Sequence, residues 1–407
     1  MSHTFPLLVA SLTIAGLSLA GYASTATQTR PSGTQQAVRA PEMRADLPVS
    51  LQLRARAEGS MQKGLKYLES VQTPEGAWQA MGKPDPAITA IVAQAFAQDP
   101  HYGPNHPIVR KALAFVMSYR QKDGGIYTPG LQLDNYYTSV ALMFLSACPR
   151  EPEIDKAIGQ AQEWLKAMQW TEKRNGPNDK PITVDHPWYG GAGYGHSKRP
   201  DLSNTQMMLE ALYQSGLPAN DPTYQKAMKF ISRCQMLSST NDQPFAQGAS
   251  DGGFIYSPAN EGESKAGTVE AEGDTKLRSY GSMTYAGFKS MLYAKVDRND
   301  ERVKAAWDWI RSHYTLDENP NMPGAQSKQG LFYYYHVFAK ALQAWGEDVI
   351  VDKVGNRHNW REDLLGKLVS LQRPDGSWMN EADRWYESNP HYITGLSVLS
   401  MQAAMQR

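Results

Sequence analysis

The sequence predicts an all-α protein, a single (α/α)6 toroid in which six helix-pair repeats close into a ring around a central cavity. One unit recurs six times along the 407 residues. Each copy has an amphipathic segment, a Gly-rich turn and a second, more apolar segment. An open solenoid needs polar capping repeats, and neither the first nor the last copy resembles one, so a closed ring is favoured.

The repeated unit is clearest in its first and last copies. The first runs from Lys63 to Gln72 and is followed by Gly76-Ala77-Trp78, and the last ends with Gln372 before Gly376-Ser377-Trp378. Four less regular copies lie between them: Lys111 to Arg120 with 125–127, Gln160 to Gln169 with 191–194, Lys226 to Gln235 with 252–254, and Lys304 to His313 with 330–332.

The second segment of each unit is nearly apolar, as in the stretches that begin at Thr138, Thr205 and Thr394. A helix with little polar surface needs neighbours on most of its sides, so these segments are predicted to be the inner helices. The first segments have apolar residues at helical spacing on one face only. They are therefore predicted to form the outer layer.

The two ends of the chain and its charge limit the possible partners. With 41 basic and 41 acidic residues, the chain has no basic surface that indicates nucleic-acid or anionic-membrane binding. Residues 1–23 are expected to be a signal peptide that exports the protein to the periplasm or the exterior. An uncleaved anchor is the alternative; after cleavage no stable membrane span is expected. Residues 24–48 are expected to be a flexible linker before the repeat domain, 49–407.

The first and last turns carry a resemblance to a known family. Gln72 to Trp78 and Gln372 to Trp378 resemble the QW repeat of the squalene and oxidosqualene cyclases, whose fold is shared with the β-subunits of protein prenyltransferases. The similarity covers roughly residues 55–407. It implies a toroid that binds or transforms an isoprenoid or another hydrophobic ligand. If the protein is an enzyme, it would be a terpene cyclase-like or transferase-like lyase, isomerase or transferase with non-standard catalytic residues.

The inner helices share one register position, which holds Tyr335 in the fifth repeat and Thr in the others. Those threonines are Thr89, Thr138, Thr205, Thr284 and Thr394. Asp85, Asp134 and Asp201 lie four residues earlier in the first three repeats. Asp at this place is a favoured helix N-cap. The resemblance also matches it to the first residue of the Asp-x-Asp-Asp-Thr motif of class II terpene cyclases, and both interpretations stay open.

The proton donor of that motif is missing from the best-matching segment, 201–205. In the cyclases the central Asp protonates the substrate, which requires a carboxylic acid. Here Ser203 stands at the acid position and Asn204 follows it. A serine hydroxyl is far too weak an acid, so the usual protonation is not expected. If the protein is catalytic, Asp201, Asp134 and His196 are the candidate catalytic residues.

A zinc site of the prenyltransferase kind is not expected either. The resemblance implies an Asp, a Cys two residues later and a His from another repeat as zinc ligands. His336 lies one or two positions outside the His frame and has no Cys partner. The six Cys positions hold Ala87, Tyr136, Ser203, Ser282, Tyr333 and Tyr392. We therefore expect no metal ion and no cofactor.

Aromatic side chains are concentrated near the predicted N-termini of the inner helices and in the loops beside them. They could pack the core, or they could line a pocket where the Gly-rich turns converge. Such rings suit isoprenoid chains and carbocations, and they also stack on sugars. The expected cavity-lining and ligand-binding residues are Tyr136, Tyr137, Trp188, Tyr189, Tyr194, Ser203, Asn204, Tyr334, Tyr335, Trp385 and Tyr392.

Three functions are compatible with these patterns. The first is an exported isoprenoid-related enzyme or binder, and the second is a carbohydrate-active or carbohydrate-binding toroid. The third is a non-catalytic exported scaffold that binds a protein partner at the loop face. Two insertions, 171–187 and 236–279, interrupt the third and fourth repeats and could be lids, binding loops or solvated excursions.

Overall fold

The computed structural model describes residues 49–177, 179–271 and 273–406. The predicted signal peptide and linker lie outside these residues. The helices are α1 (Leu51–Ser70), α2 (Pro86–Gln98), α3 (Pro107–Met117), α4 (Asp134–Ser146), α5 (Pro152–Met168), α6 (Leu202–Gln214), α7 (Pro222–Cys234), α8 (Gly281–Tyr293), α9 (Glu301–Ser312), α10 (Leu331–Trp345), α11 (Trp360–Leu371) and α12 (Pro390–Met405). Within this described part, no helix is long and apolar enough to cross a membrane.

Three short antiparallel hairpins lie in the loops between helices. They pair β1 (Trp78–Ala80) with β2 (Lys83–Asp85), β3 (Thr268–Ala271) with β4 (Asp274–Leu277), and β5 (Val349–Val351) with β6 (Arg357–Asn359). The hairpin β3–β4 belongs to the second predicted insertion, 236–279. Met236, Ala249 and Ile255 form a small hydrophobic core of their own in that insertion. The insertion is therefore a packed element of the fold.

The even-numbered helices form a closed inner ring. Each packs against the even-numbered helices before and after it, and α12 packs against α2. The odd-numbered helices cover this ring, and α1 packs against both α11 and α12. The inner helices are buried along most of their length, whereas the outer helices bury one face. The described chain is thus the all-α toroid that the sequence predicts.

The Gly-rich turns are held against the next outer helix in five repeats. Their glycines have φ between 76° and 97°, which only glycine adopts without strain. A Cβ added at Gly76 would lie 2.6 Å from the backbone of Lys111 in α3, so the turn approaches that helix too closely for any side chain. The equivalent pairs are Gly124 with Gln160, Gly190 with Lys226, Gly252 with Ala305, and Gly376 with Lys63.

The register threonines join the same turns to the inner helices. In the first repeat, the Trp78 N–H donates a 3.0 Å hydrogen bond to Oγ1 of Thr89. The matching pairs are Ile126 with Thr138, Ala192 with Thr205, Phe254 with Thr284, and Trp378 with Thr394. In the fifth repeat the Tyr335 hydroxyl donates instead to the Leu316 carbonyl, at 2.6 Å. The recurring Thr therefore has a structural function in every repeat that carries it.

Candidate ligand cavity

A cavity of about 790 Å³ lies along the axis of the inner ring. This volume is typical of small-molecule sites, which measure roughly 300–1,000 Å³. All six inner helices contribute lining residues, together with the loops at their N-terminal ends. We call that loop end the mouth. Three layers follow one another from the mouth inward.

The first layer is a ring of tyrosines at the N-terminal ends of the inner helices, which we call the tyrosine collar. Its members are Tyr136, Tyr137, Tyr194, Tyr256, Tyr280, Tyr333 and Tyr392. Most come from first turns or N-caps. The register that points the Thr at its turn points the residue two positions earlier at the axis, as at Tyr136, Tyr333 and Tyr392. Burial raises the pKa of these phenols well above its ordinary value. The collar is therefore neutral.

Six of the seven collar hydroxyls interact with neighbouring side chains. The Tyr137 hydroxyl donates to Asp85 Oδ2 at 2.5 Å. The Tyr333 hydroxyl lies 3.0 Å from Ser203 Oγ and accepts from Gln206 Nε2 at 3.0 Å. Two further pairs interact through their hydroxyls, Tyr136 with Tyr392 and Tyr194 with Tyr256. Because the polar groups are paired within the wall, the collar offers mainly ring surface to a ligand.

The second set of lining residues is apolar and runs along the inner helices from their first turns, at Ile88 and Met283, to the level of Glu210; we call it the apolar belt. Its members are Ile88, Ile91, Val140, Met143, Met207, Met283, Leu396 and Leu399. The belt joins the collar to the inner end of the cavity without a charged side chain. Methionines supply three of its eight members, and their unbranched side chains adapt to irregular ligand shapes.

The third layer is a polar floor around Glu210, with Gln94, Gln214, His336 and Lys340 also lining the cavity. Glu210 is eight residues beyond the start of α6, about 12 Å along the helix axis. Its Oε2 pairs with the fully buried Lys289, and its Oε1 accepts from Gln214 Nε2 at 2.8 Å.

Burial raises the pKa of Glu210, but the attraction of Lys289 and Lys340 outweighs burial and lowers it to about 2. Burial also lowers the pKa of His336 to about 3. At neutral pH, Glu210 is therefore ionised and His336 is uncharged. The floor was not predicted from the sequence, although its polar residues interrupt otherwise apolar helices.

The structure brings seven of the predicted ligand-binding residues together in the cavity wall. They are Tyr136, Tyr137, Tyr194, Ser203, Asn204, Trp385 and Tyr392. The predicted Trp188 lies instead in the third-repeat turn, edge-on to Trp170 at a ring distance of 5.0 Å. Tyr189 in the same turn interacts with Glu172. Neither of these two side chains lines the cavity, because the turn that carries them packs against the outer layer.

Tyr334 and Tyr335 also lie outside the cavity lining, although they were expected to be part of it. Both residues belong to α10, and their side chains are buried. The Tyr334 hydroxyl donates to the Thr315 carbonyl at 2.7 Å, and Tyr335 makes the Leu316 contact described above. Of the three consecutive tyrosines in this helix, only Tyr333 faces the axis, because neighbouring residues on a helix point about 100° apart.

The three candidate catalytic residues do not form one cluster. Asp201 is a buried N-cap of α6 that accepts from the Asn204 N–H at 2.8 Å, and it does not line the cavity. Burial raises its pKa to about 6. Asp134 and His196 lie together in a separate groove beside outer helix α5, with Tyr127. A direct role for all three at one reacting centre is not compatible with this placement.

Another buried carboxyl lies behind the collar. Glu387 accepts from the Tyr333 N–H at 2.8 Å and from Asn380 Nδ2 at 2.6 Å, at the N-terminus of α10. Burial raises its pKa to about 7. It does not line the cavity. Across the described residues, no group of three or more His, Cys, Asp or Glu side chains is arranged to hold a metal ion.

Comparison with known proteins shows the fold. No protein-family model matches the sequence, and no curated protein matches it. The type II terpene cyclase MstE from Scytonema is 14% identical, with a TM-score of 0.52, covering 86% of this chain and 99% of that one. A D-mannose isomerase is 12% identical, with a TM-score of 0.52 over 87% of this chain and 99% of its own. A glycosidase variant is 11% identical, with a TM-score of 0.50 over 88% and 99%.

These neighbours differ in activity and share the α/α toroid. Fold and site together therefore define this chain as an α/α-toroid protein with an axial cavity. Because one fold supports unrelated chemistries, the function has to be argued from the cavity itself.

Proposed function

We propose that this protein binds an apolar, chain-like molecule, such as an isoprenoid, along the axis of the toroid. The observation that carries the proposal is the apolar belt, which continues from the tyrosine collar to the floor about 12 Å away. A ligand chain that lies along the belt would be removed from water over its whole length. Each CH₂ group buried in this way contributes about 0.8 kcal/mol to the free energy of binding.

The collar suits the same class of ligand. Six of its seven hydroxyls are paired within the wall, so an apolar ligand that contacts those rings leaves no new unsatisfied polar group there. Tyrosine rings also attract positive charge, which would favour cationic intermediates if the ligand is transformed. One structure of the terpene cyclase neighbour is a complex with the substrate geranylgeranyl dihydroxybenzoate, which is consistent with this ligand class.

Binding is favoured over cyclisation started by an acid in the cavity. At the acid position, Ser203 pairs with Tyr333. The carboxyls with raised pKa values, Asp201 and Glu387, lie behind the cavity wall. Each accepts a hydrogen bond from a backbone N–H at a helix N-terminus. Neither of these two carboxyls lines the cavity, so neither is placed to protonate a ligand there directly.

A glycoside hydrolase is less well supported by the cavity. Such enzymes place two carboxyls about 5–9.5 Å apart across the scissile bond. Among the described residues, the carboxylates that line this cavity are Asp85 and Glu210. Asp85 caps α2 at the mouth, whereas Glu210 lies about 12 Å deeper and is paired with Lys289. A scaffold that binds a protein only through its rim would not need the open axial cavity.

Isothermal titration of the full chain with geranylgeraniol and with hexadecanol tests the proposal. The cavity variant is Met207→Trp, which fills the belt, and the matched control is Val354→Trp at a side chain 84% exposed. We expect saturable binding by wild type and control, and at least tenfold weaker binding by the cavity variant. Melting curves show whether each variant is folded. No saturable binding by folded wild type, or equal affinity in folded Met207→Trp, would refute the proposal.

A further inference from the structure

The cavity floor holds more positive than negative charge. Lys289 and Lys340 face one carboxylate, Glu210, and His336 is neutral. Lys289 is fully buried and paired with Glu210 Oε2. Lys340 forms a longer ion pair with Glu210, 3.6 Å from Oε1 and without a hydrogen bond. The described side chains of the floor therefore leave a charge of about +1 in a largely apolar cavity.

The Lys340 ammonium is the group that carries this surplus. Its side chain is 18% exposed and lines the cavity, and it makes no hydrogen bond to any other described residue. An ammonium has three donors and no acceptor, so it binds best to an oxygen anion. Inner-helix C-termini lie about one turn beyond the floor and also attract cations. A lysine that stabilised those C-termini would donate hydrogen bonds to their free carbonyl groups. Lys340 donates none to them.

We propose that the floor is a carboxylate site, so that the ligand is an acidic amphiphile with its head at Lys340 and its chain in the apolar belt. This inference rests on the proposed function and deepens it by naming the ligand class. A carboxylate has one negative charge, which matches the surplus; a phosphate monoester has nearly two at neutral pH and would be under-compensated. The Glu210–Lys289 pair stays neutral and supports the wall beside the site.

The test compares three ligands that share one chain: hexadecanoic acid, hexadecanol and hexadecyl phosphate. Isothermal titration of the full chain at about pH 8, below aggregate-forming concentrations, gives each affinity. We expect the acid to bind at least tenfold more tightly than the alcohol, since charged hydrogen bonds contribute about that much. Equal affinity of acid and alcohol would overturn the carboxylate site. Tighter binding of the phosphate than of the acid would overturn the choice of carboxylate.

Variants locate the head group. Lys340→Met should abolish the preference for acid over alcohol, while Lys340→Arg should keep that preference. Lys353→Met, at a surface lysine paired with Asp308, is the control that should keep it too. If the preference persists in folded Lys340→Met, or is lost instead in Lys83→Met at the mouth, the proposal is wrong. If neither acid nor alcohol binds the wild type, the proposed function itself fails, which is a different result.

Discussion

The side-chain amide of Gln372, in the last turn, donates a 2.8 Å hydrogen bond to the carbonyl of Ser60 in α1. The same amide donates to the Gly376 carbonyl at 2.9 Å. Three other turns use a Gln in the same way, bonding their own Gly and a carbonyl of the next outer helix. These pairs are Gln72 with Ile108, Gln169 with Thr223, and Gln235 with Arg302. The contact that joins successive repeats thus also closes the ring.

Replacement of the ring-closing glutamine should weaken the whole fold. Gln372→Ala removes two hydrogen bonds to backbone carbonyls, so the free energy of unfolding should fall by about 2 kcal/mol. Urea denaturation measures it. Gln52→Ala, at an exposed position in the first turn of α1, is the matched control and should change stability by less than about 0.5 kcal/mol. Equal effects of the two substitutions would contradict the closing role.

The close approach of the turns to the outer helices predicts a large difference between two glycines. Gly190 and Gly216 have nearly the same φ, 87° and 85°. A Cβ at Gly190 would lie 1.8 Å from the Lys226 carbonyl oxygen, whereas one at Gly216 would meet nothing within 4 Å. Gly216→Ala should lower the unfolding free energy by about 1 kcal/mol, from backbone strain alone.

Gly190→Ala adds a clash to that strain and should lower the unfolding free energy by at least about 3 kcal/mol in total. Thermal and chemical denaturation of both variants give the comparison. Similar losses in the two would show that the turn can move away from α7 without cost.

The raised pKa of Asp201 predicts a pH-dependent difference in stability. Burial raises it from 3.8 to about 6, so the folded state prefers the protonated acid. Asp201 therefore favours folding below about pH 4, and this contribution is lost as the pH rises through about 6. Asp201→Asn cannot ionise. Its stability relative to wild type should rise between about pH 4 and pH 7.5, by up to about 3 kcal/mol. A difference that does not change with pH in urea denaturation would contradict this.

The buried ion pair of the floor predicts non-additive substitutions. Lys289→Met leaves the buried Glu210 with only the more distant Lys340, so the unfolding free energy should fall by about 3 kcal/mol or more. Adding Glu210→Leu removes the unpaired charge and should recover most of that loss. Urea denaturation of the single and double variants forms a double-mutant cycle. Additive losses would show that the pair is not coupled.

The ring could be predicted from the sequence because its determinants are local and repeated. Gln72, Gly76 and Trp78 recur at the same spacing in Gln372, Gly376 and Trp378, and each unit carries its own helix pattern. The register of the inner helices was also readable from the threonines. Their hydrogen bonds to the turns, however, join residues 11 to 30 positions apart, and spacing alone does not reveal them.

The site was only partly predictable. The collar follows from register, so Tyr136 and Tyr392 could be assigned to the cavity. The floor depends on where the polar residue of each inner helix lies along the cavity axis. That position is known only once the helices are placed relative to one another in space. Asp134 was grouped with Asp201 by helix register, yet the start of α4 turns Asp134 toward a groove outside the ring, where it lies with His196. The catalytic roles of these three residues remain predictions.

The most direct measurement is diffraction from crystals of the full chain grown with a long-chain alcohol that carries bromine at mid-chain. We predict an anomalous bromine peak inside the apolar belt, in contact with Ile91, Val140 and Met207. The same crystals should place the chain between the tyrosine collar and the floor. A fully occupied peak on the outer surface, or an empty belt under saturating ligand, would contradict an axial binding site.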